Sequence, residues 1–361
     1  TLNAERLMGF GILWFFITLS VESSFIPIVD VIFEHRLYLP SAGAFIAVTT
    51  AAFVLAGRFS AKWKGLERGV IAAFALITVV FSAAAYARNM VWHDGVSLWE
   101  DVAAKSPGNA RGHNNLGYIY QARNMPDKAI KQYMLAIELQ PDYAEAHNNL
   151  ATTFQNLGMF DRAMEEYLTA IKLKPGYADA YNNIGTLYHT LKMYDAAIAH
   201  YLIAIRLRPD LAHPHNNLGK VYQARNMSDK ALEQYLIAIK LDPDYEEAHF
   251  NLGVIYKALN VPDKSEKEFL IALKLNPDFA DTHFNLGAIY QAGNMPARAM
   301  GQYMTAVKLN PGYAEAYFNL GLLYYKTGQV ENARRELITL LNIKPDYQPA
   351  RQLLNAINNE K

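Results

Sequence analysis

From Ala110 onward the sequence returns to itself every 34 residues, seven times, without one insertion. A chain so constrained stacks one supersecondary unit on the next, because no single unit buries its own apolar face. Within each unit an aliphatic residue recurs at Leu116, Leu150, Ile184, Leu218, Leu252, Leu286 and Leu320. A small residue follows it: Gly117, Ala151, Gly185, Gly219, Gly253, Gly287 and Gly321. Three positions on stands a ring: Tyr120, Phe154, Tyr188, Tyr222, Tyr256, Tyr290 and Tyr324. A second small residue comes at Ala129, Ala163, Ala197, Ala231, Ser265, Ala299 and Ala333, and Pro closes each unit at 141, 175, 209, 243, 277, 311 and 345. Small residues let two helices approach, the ring fills the space beside them, and Pro stops the second helix.

This period and pattern resemble the tetratricopeptide repeat, a helical hairpin of 34 residues. The resemblance implies an all-α, right-handed solenoid of seven repeats over 110–347. The seventh unit is worn, with Leu337 and Leu340 where an aromatic and Ala are usual. Residues 348–361 read as a capping helix, whose outer face is free to be polar. Residues 93–109 read as a degenerate half repeat, in which Trp99 takes the aromatic slot and Pro107 the terminal one.

The repeated Asn is the candidate for function. Asn115, Asn149, Asn183, Asn217, Asn251, Asn285 and Asn319 precede the aliphatic slot in every unit. In stacked hairpins this position falls on the inner wall, because helical neighbours lie three or four apart. A carboxamide both donates and accepts, so a row of them suits the backbone of an extended polypeptide of variable sequence. The alternative is that each amide bonds its own neighbouring backbone. One position earlier the wall carries Asn114, Asn148, Asn182 and Asn216, then Phe250, Phe284 and Phe318. That order suits an amphipathic guest, or else the Phe rings pack between repeats. Gln121, Gln155, Gln223 and Gln291 add further amides. His113, His147, His215, His249 and His283 recur at a fixed slot. Equivalent positions in adjacent repeats are too far apart to share a metal, so these rings read as packing between helices.

The first 92 residues differ in kind. Segments at about 7–21, 37–57 and 69–87 are long and apolar, and a helix of about 20 such residues spans a bilayer; the first is the shortest, contains Gly9 and Gly11, and reads alternatively as a buried or re-entrant helix. The loop between the second and third carries Arg58, Lys62, Lys64 and Arg68 against Glu67, which places it on the cytoplasmic side. The repeats then stand on the extracytoplasmic side, in a periplasm or endoplasmic-reticulum lumen, in contact with membrane lipid. The opening residues have no initiator Met and no basic leader, so the chain reads as starting within a longer protein. Lys plus Arg and Asp plus Glu both total 34. Without a basic excess, electrostatic binding of nucleic acid is disfavoured. Cys is absent, which removes disulfides, thiolate metal sites and Cys nucleophiles.

Two further stretches, "IPIVDVIFEHRLYLPSAGAF" at 26–45 and "RNMVWHDGVSLWEDVAAKSPGNARGHNNLG" at 88–117, carry a second resemblance together with the repeats. Their order is similar to that of the transmembrane-and-tetratricopeptide-repeat family, relatives of GT-C protein O-mannosyltransferases. The resemblance implies that this chain is the C-terminal part of a glycosyltransferase whose catalytic carboxylates lie upstream. It also implies that Glu34, His35 and Arg36 help shape a site for a lipid-phosphate sugar donor, with solvated interfacial charges as the alternative. No catalytic set, cofactor signature or metal set is legible in the chain itself. The other reading keeps the repeats and drops the enzyme: an adaptor for envelope or secretion assemblies.

Overall fold

The computed structural model describes residues 95–359, together with Leu76. Among them are sixteen α-helices and no strand. The half repeat supplies α1, Gly95–Lys105. Seven helix pairs follow: α2 Ala110–Ala122 and α3 Pro126–Leu139; α4 Ala144–Asn156 and α5 Phe160–Leu173; α6 Ala178–Thr190 and α7 Tyr194–Leu207; α8 Ala212–Ala224 and α9 Ser228–Leu241; α10 Glu246–Ala258 and α11 Pro262–Leu275; α12 Ala280–Ala292 and α13 Pro296–Leu309; α14 Ala314–Lys326 and α15 Val330–Ile343. The last helix is α16, Gln348–Asn359.

The expected all-α architecture of helical hairpins is therefore present. The three apolar segments at 7–21, 37–57 and 69–87 lie, Leu76 apart, outside the described residues, as do Glu34, His35 and Arg36. Among the described residues no helix is long and apolar enough to cross a membrane.

Each hairpin is punctuated by local chemistry. The second residue after the first helix takes a left-handed conformation at Asn124, Gly158, Lys192, Asn226, Asn260, Asn294 and Gly328. Asn and Gly tolerate that region because their side chains do not clash there. The next N–H then donates back to the ring residue of the first helix, as from Met125 to the Tyr120 carbonyl at 2.9 Å and from Met227 to the Tyr222 carbonyl at 2.8 Å, closing a Schellman-type end. Pro126, Pro262 and Pro296 open second helices at the position where a missing N–H costs nothing. Asp stands in the first turn of α3, α5, α7, α9 and α11, and a basic residue in the last turn of α5, α7, α9, α11 and α13. Both complement the helix dipole.

The chain divides into two compact units, Thr1–Thr153 and Phe154–Lys361. In the first, α1 packs on α2 and α2 on α3. Glu100 of α1 accepts from the Tyr120 hydroxyl of α2 at 2.5 Å. In the second, every helix from α5 to α15 packs on its successor, and the first helices α6, α8, α10 and α12 also touch in sequence. First helices thus form the crowded inner side of that unit, and second helices lie outside them.

The core of most hairpins is an Ala–aromatic–Ala stripe on the second helix, as in Ala231, Tyr235 and Ala238, all fully buried; the fifth has Ser265, Phe269 and Ala272, and the seventh Ala333, Leu337 and Leu340. It needs a small residue opposite. A Cβ on Gly219 would come within 2.6 Å of the Tyr235 ring, closer than packed carbons tolerate. In α16, Ala350 and Ile357 are buried against the seventh repeat.

Candidate inner-wall binding site

The Asn rows of the first helices are bonded to one another. Asn149 Nδ2 donates to Asn114 Oδ1 at 3.0 Å in the first unit. In the second, Asn217 Nδ2 donates to Asn182 Oδ1 at 3.0 Å and Asn251 Nδ2 to Asn216 Oδ1 at 2.9 Å. Each bond ties one repeat to its neighbour through a pair 35 residues apart. Asn114, Asn148, Asn182 and Asn216 are buried, whereas Asn115, Asn149, Asn183 and Asn217 keep part of their surface. Asn216 is fully buried and also donates to the Tyr245 hydroxyl at 3.3 Å and to Glu247 Oε2 at 3.1 Å. Glu247 in turn accepts from Lys220 Nζ at 2.9 Å.

The two ends of these carboxamides are used differently along the row: Asn149 Oδ1 accepts from Asn148 at 3.5 Å and Asn183 Oδ1 from Asn182 at 3.4 Å. At Asn149, Asn217 and Asn251 the donor half is committed to the preceding repeat. Asn217 Oδ1 receives no hydrogen bond from the described residues, so its acceptor half is open to the wall.

Repeats five to seven solve the same contact with rings. Phe250 packs tilted against Phe279 with centroids 4.8 Å apart, Phe284 against Tyr313 at 4.9 Å, and Phe318 against Tyr347 at 5.4 Å. Each ring takes the place where Asn216 meets Tyr245, and each stays half-buried. With Phe in that slot, the later amides turn elsewhere. Asn285 Nδ2 donates to the Asp281 carbonyl at 2.9 Å and its Oδ1 accepts from Lys257 Nζ at 2.8 Å. Asn319 Nδ2 reaches the Tyr303 hydroxyl at 3.5 Å. Burial lowers the pKa of Lys257. Asn251 is buried, whereas Asn285 and Asn319 remain half-buried.

The glutamines bond the ring of their own hairpin, and Gln121 also accepts from Thr153 of the next repeat at 3.1 Å. The hydroxyls of Tyr133, Tyr167, Tyr235 and Tyr303 donate to Gln121, Gln155, Gln223 and Gln291 at 2.8–2.9 Å. Where the glutamine is absent the ring adapts. Tyr201 bonds Thr186, and in the repeat where Lys257 replaces the glutamine the ring is Phe269, which has no hydroxyl.

The histidines brace the hairpins, as packing predicts, but through polar contacts. His113 lies between the Pro107 carbonyl at 3.0 Å and Gln132 at 2.7 Å; His283 lies between Pro277 and Gln302 at 3.0 and 2.6 Å. In repeat five the second partner is a carboxylate, Glu268, 2.6 Å from His249. Among the described residues no group of His, Asp and Glu is placed to hold a metal.

Comparison with known proteins agrees with this architecture. The tetratricopeptide-repeat family matches at residues 110–143, 178–211, 133–165, 268–308, 246–279 and 314–347, and a TPR-repeat description at 156–192, 224–260 and 297–328. The chain belongs to the tetratricopeptide-repeat proteins. It is 26% identical over 124 residues to "Protein O-mannosyl-transferase Tmtc3" of Drosophila melanogaster, a match covering 34% of this chain and 13% of that protein. It is 29% identical over 127 residues to "Protein O-mannosyl-transferase F38B6.6" of Caenorhabditis elegans, covering 33% and 17%. The matched part is thus under a fifth of either relative. Among solved structures, the APC/C hetero-tetramer Cut9-Hcn1 aligns with a TM-score of 0.61 at 18% identity, over 73% of this chain and 52% of that one. This likeness is one of fold.

Proposed function

We propose that the tetratricopeptide repeats bind extended polypeptide segments along the inner wall formed by their first helices. The supporting observation is the posture of Asn217. Asn217 is held by its donor end, which leaves its carbonyl oxygen to accept from a backbone N–H at low entropic cost. Asn115, Asn149, Asn183, Asn251, Asn285 and Asn319 extend the row within their units, with Asn114, Asn148, Asn182 and Asn216 behind them as supports. Phe250, Phe284 and Phe318 offer apolar surface at the far end of the second unit. In the complete protein such a wall would deliver unfolded segments to a membrane-embedded mannosyl-transfer site, as the names of the two curated relatives suggest. The wall would then stand on the extracytoplasmic side.

The test uses the full chain in detergent and a fluorescent, Ser/Thr-rich, unstructured peptide of about 15 residues, long enough to span five repeats when extended. Replacing Asn183, Asn217 and Asn285 together by Ala is expected to weaken binding about tenfold or more, with an unchanged far-UV CD spectrum. Unchanged affinity in the folded variant refutes the wall. An array that binds this peptide but transfers no sugar in the full-length protein favours the adaptor role.

A further inference from the structure

The outer face of the second unit carries a feature that peptide binding on the inner wall does not use. Leu168, Leu202, Leu236, Leu270, Met304 and Ile338 occupy one repeat position on α5, α7, α9, α11, α13 and α15, and each is 44–51% exposed. Single exposed apolar residues are ordinary on any surface. Six at one register, on six successive outer helices, form a row. On α5, α7, α9 and α11 an acidic residue stands seven positions before the apolar one and a basic residue four after it, with Glu165, Ala199, Glu233 and Lys267 in between. On α7 the three are Asp195, Leu202 and Arg206; on α9, Asp229, Leu236 and Lys240; on α11, Asp263, Leu270 and Lys274. The charges match the helix dipole. The large apolar residue between them has no such reason to be there.

An acidic, an apolar and a basic track running side by side make a self-complementary surface. A two-fold axis lying along the apolar row sets each outer helix against its own equivalent, antiparallel. Leucine then meets leucine, and the acidic track lies over the basic one. The other in-plane axis, parallel to the helices, sets acid against acid. In the favoured arrangement Asp229 and Lys240 are offset by about 4–5 Å at a rise of 1.5 Å per residue, which a lysine stem spans. An isologous contact requires one patch to complement itself.

We infer that the outer helices α7, α9 and α11 form a two-fold interface with a second copy of this chain, centred on Leu202, Leu236 and Leu270.

The native chain has no cysteine, which makes cross-linking by single substitutions clean. Helices in contact at 8–10 Å between axes bring facing Cα atoms within disulfide reach. In the full chain, Leu236→Cys is expected to form a disulfide-linked dimer under mild oxidation. Its yield should exceed that of Asp229→Cys alone by about tenfold and persist on dilution. A short bis-maleimide should join Asp229→Cys to Lys240→Cys in a mixture while joining neither variant efficiently to itself. Adding Leu236→Glu should abolish the Leu202→Cys dimer. All four positions are at the surface, so these variants keep their fold. Absence of the Leu236→Cys dimer overturns the inference. So does cross-linking of Asp229→Cys to itself as efficiently as to Lys240→Cys.

Discussion

Lys192 is the one bulky side chain at the left-handed end of a first helix, with φ of 58°. The equivalent residues are Asn or Gly, which take that conformation with little strain. An ordinary L-residue there costs roughly 1–2 kcal/mol, part of which Gly returns through its larger unfolded entropy. Lys192→Gly is therefore expected to raise stability by about 0.5–1 kcal/mol. A urea titration of the two proteins measures it, and a lower midpoint for the variant would contradict the strain. The same position shows how a residue-scale choice sets an element. The left-handed turn frees the next N–H to close the first helix, as Met193 does on the Tyr188 carbonyl at 2.8 Å.

At the scale of the hairpin, the small residue of the first helix and the aromatic of the second are one contact. Gly219→Ala places a methyl 2.6 Å from the Tyr235 ring. Tyr235 is fully buried, and its hydroxyl is fixed on Gln223 at 2.8 Å, so the ring has little room to move. The expected cost is about 1–3 kcal/mol, read as a lower thermal midpoint; an unchanged midpoint would show that the helices separate freely. The pairing of helices was legible because glycine, aromatic and proline recur at one period, and steric complementarity is written in residue size. The bonding of the amides was not. Asn217 finds its partner in Asn182 of the previous repeat, and such a bond depends on the register of two packed helices. The tyrosine–glutamine bonds were hidden for the same reason, although Phe269 in the repeat where Lys257 replaces glutamine was a usable sign. The outer leucines look like core in the sequence, since periodicity marks a face without saying whether anything covers it. The apolar segments before residue 88 and the Glu34–Arg36 loop lie outside the described residues, and their reading rests on hydropathy and resemblance alone.

For the whole molecule, the repetition of one buried phenol makes alkaline stability a collective property. Burial pushes Tyr201 up to about 12, and Tyr303 likewise to about 12. It also raises Tyr133 and Tyr235. An unfolded tyrosine ionises near 10. The folded state therefore holds protons that the unfolded state has lost, and stability falls as pH climbs from about 10 towards 12. Below about 10 these groups contribute no slope. Denaturant midpoints at several alkaline pH values, read beside tyrosinate absorbance, should show unfolding and ionisation arriving together. Ionisation of these rings in a fully helical protein would contradict it.

The inner wall is most directly tested by changing the guest instead of the protein. If wall carbonyls such as that of Asn217 accept from a guest backbone, a peptide N-methylated at alternate residues loses the donors they recognise. Binding of the methylated and unmethylated peptides to the same full chain should then differ by about tenfold or more, in favour of the unmethylated one. Equal affinity would mean that the row of amides serves only to bind repeat to repeat.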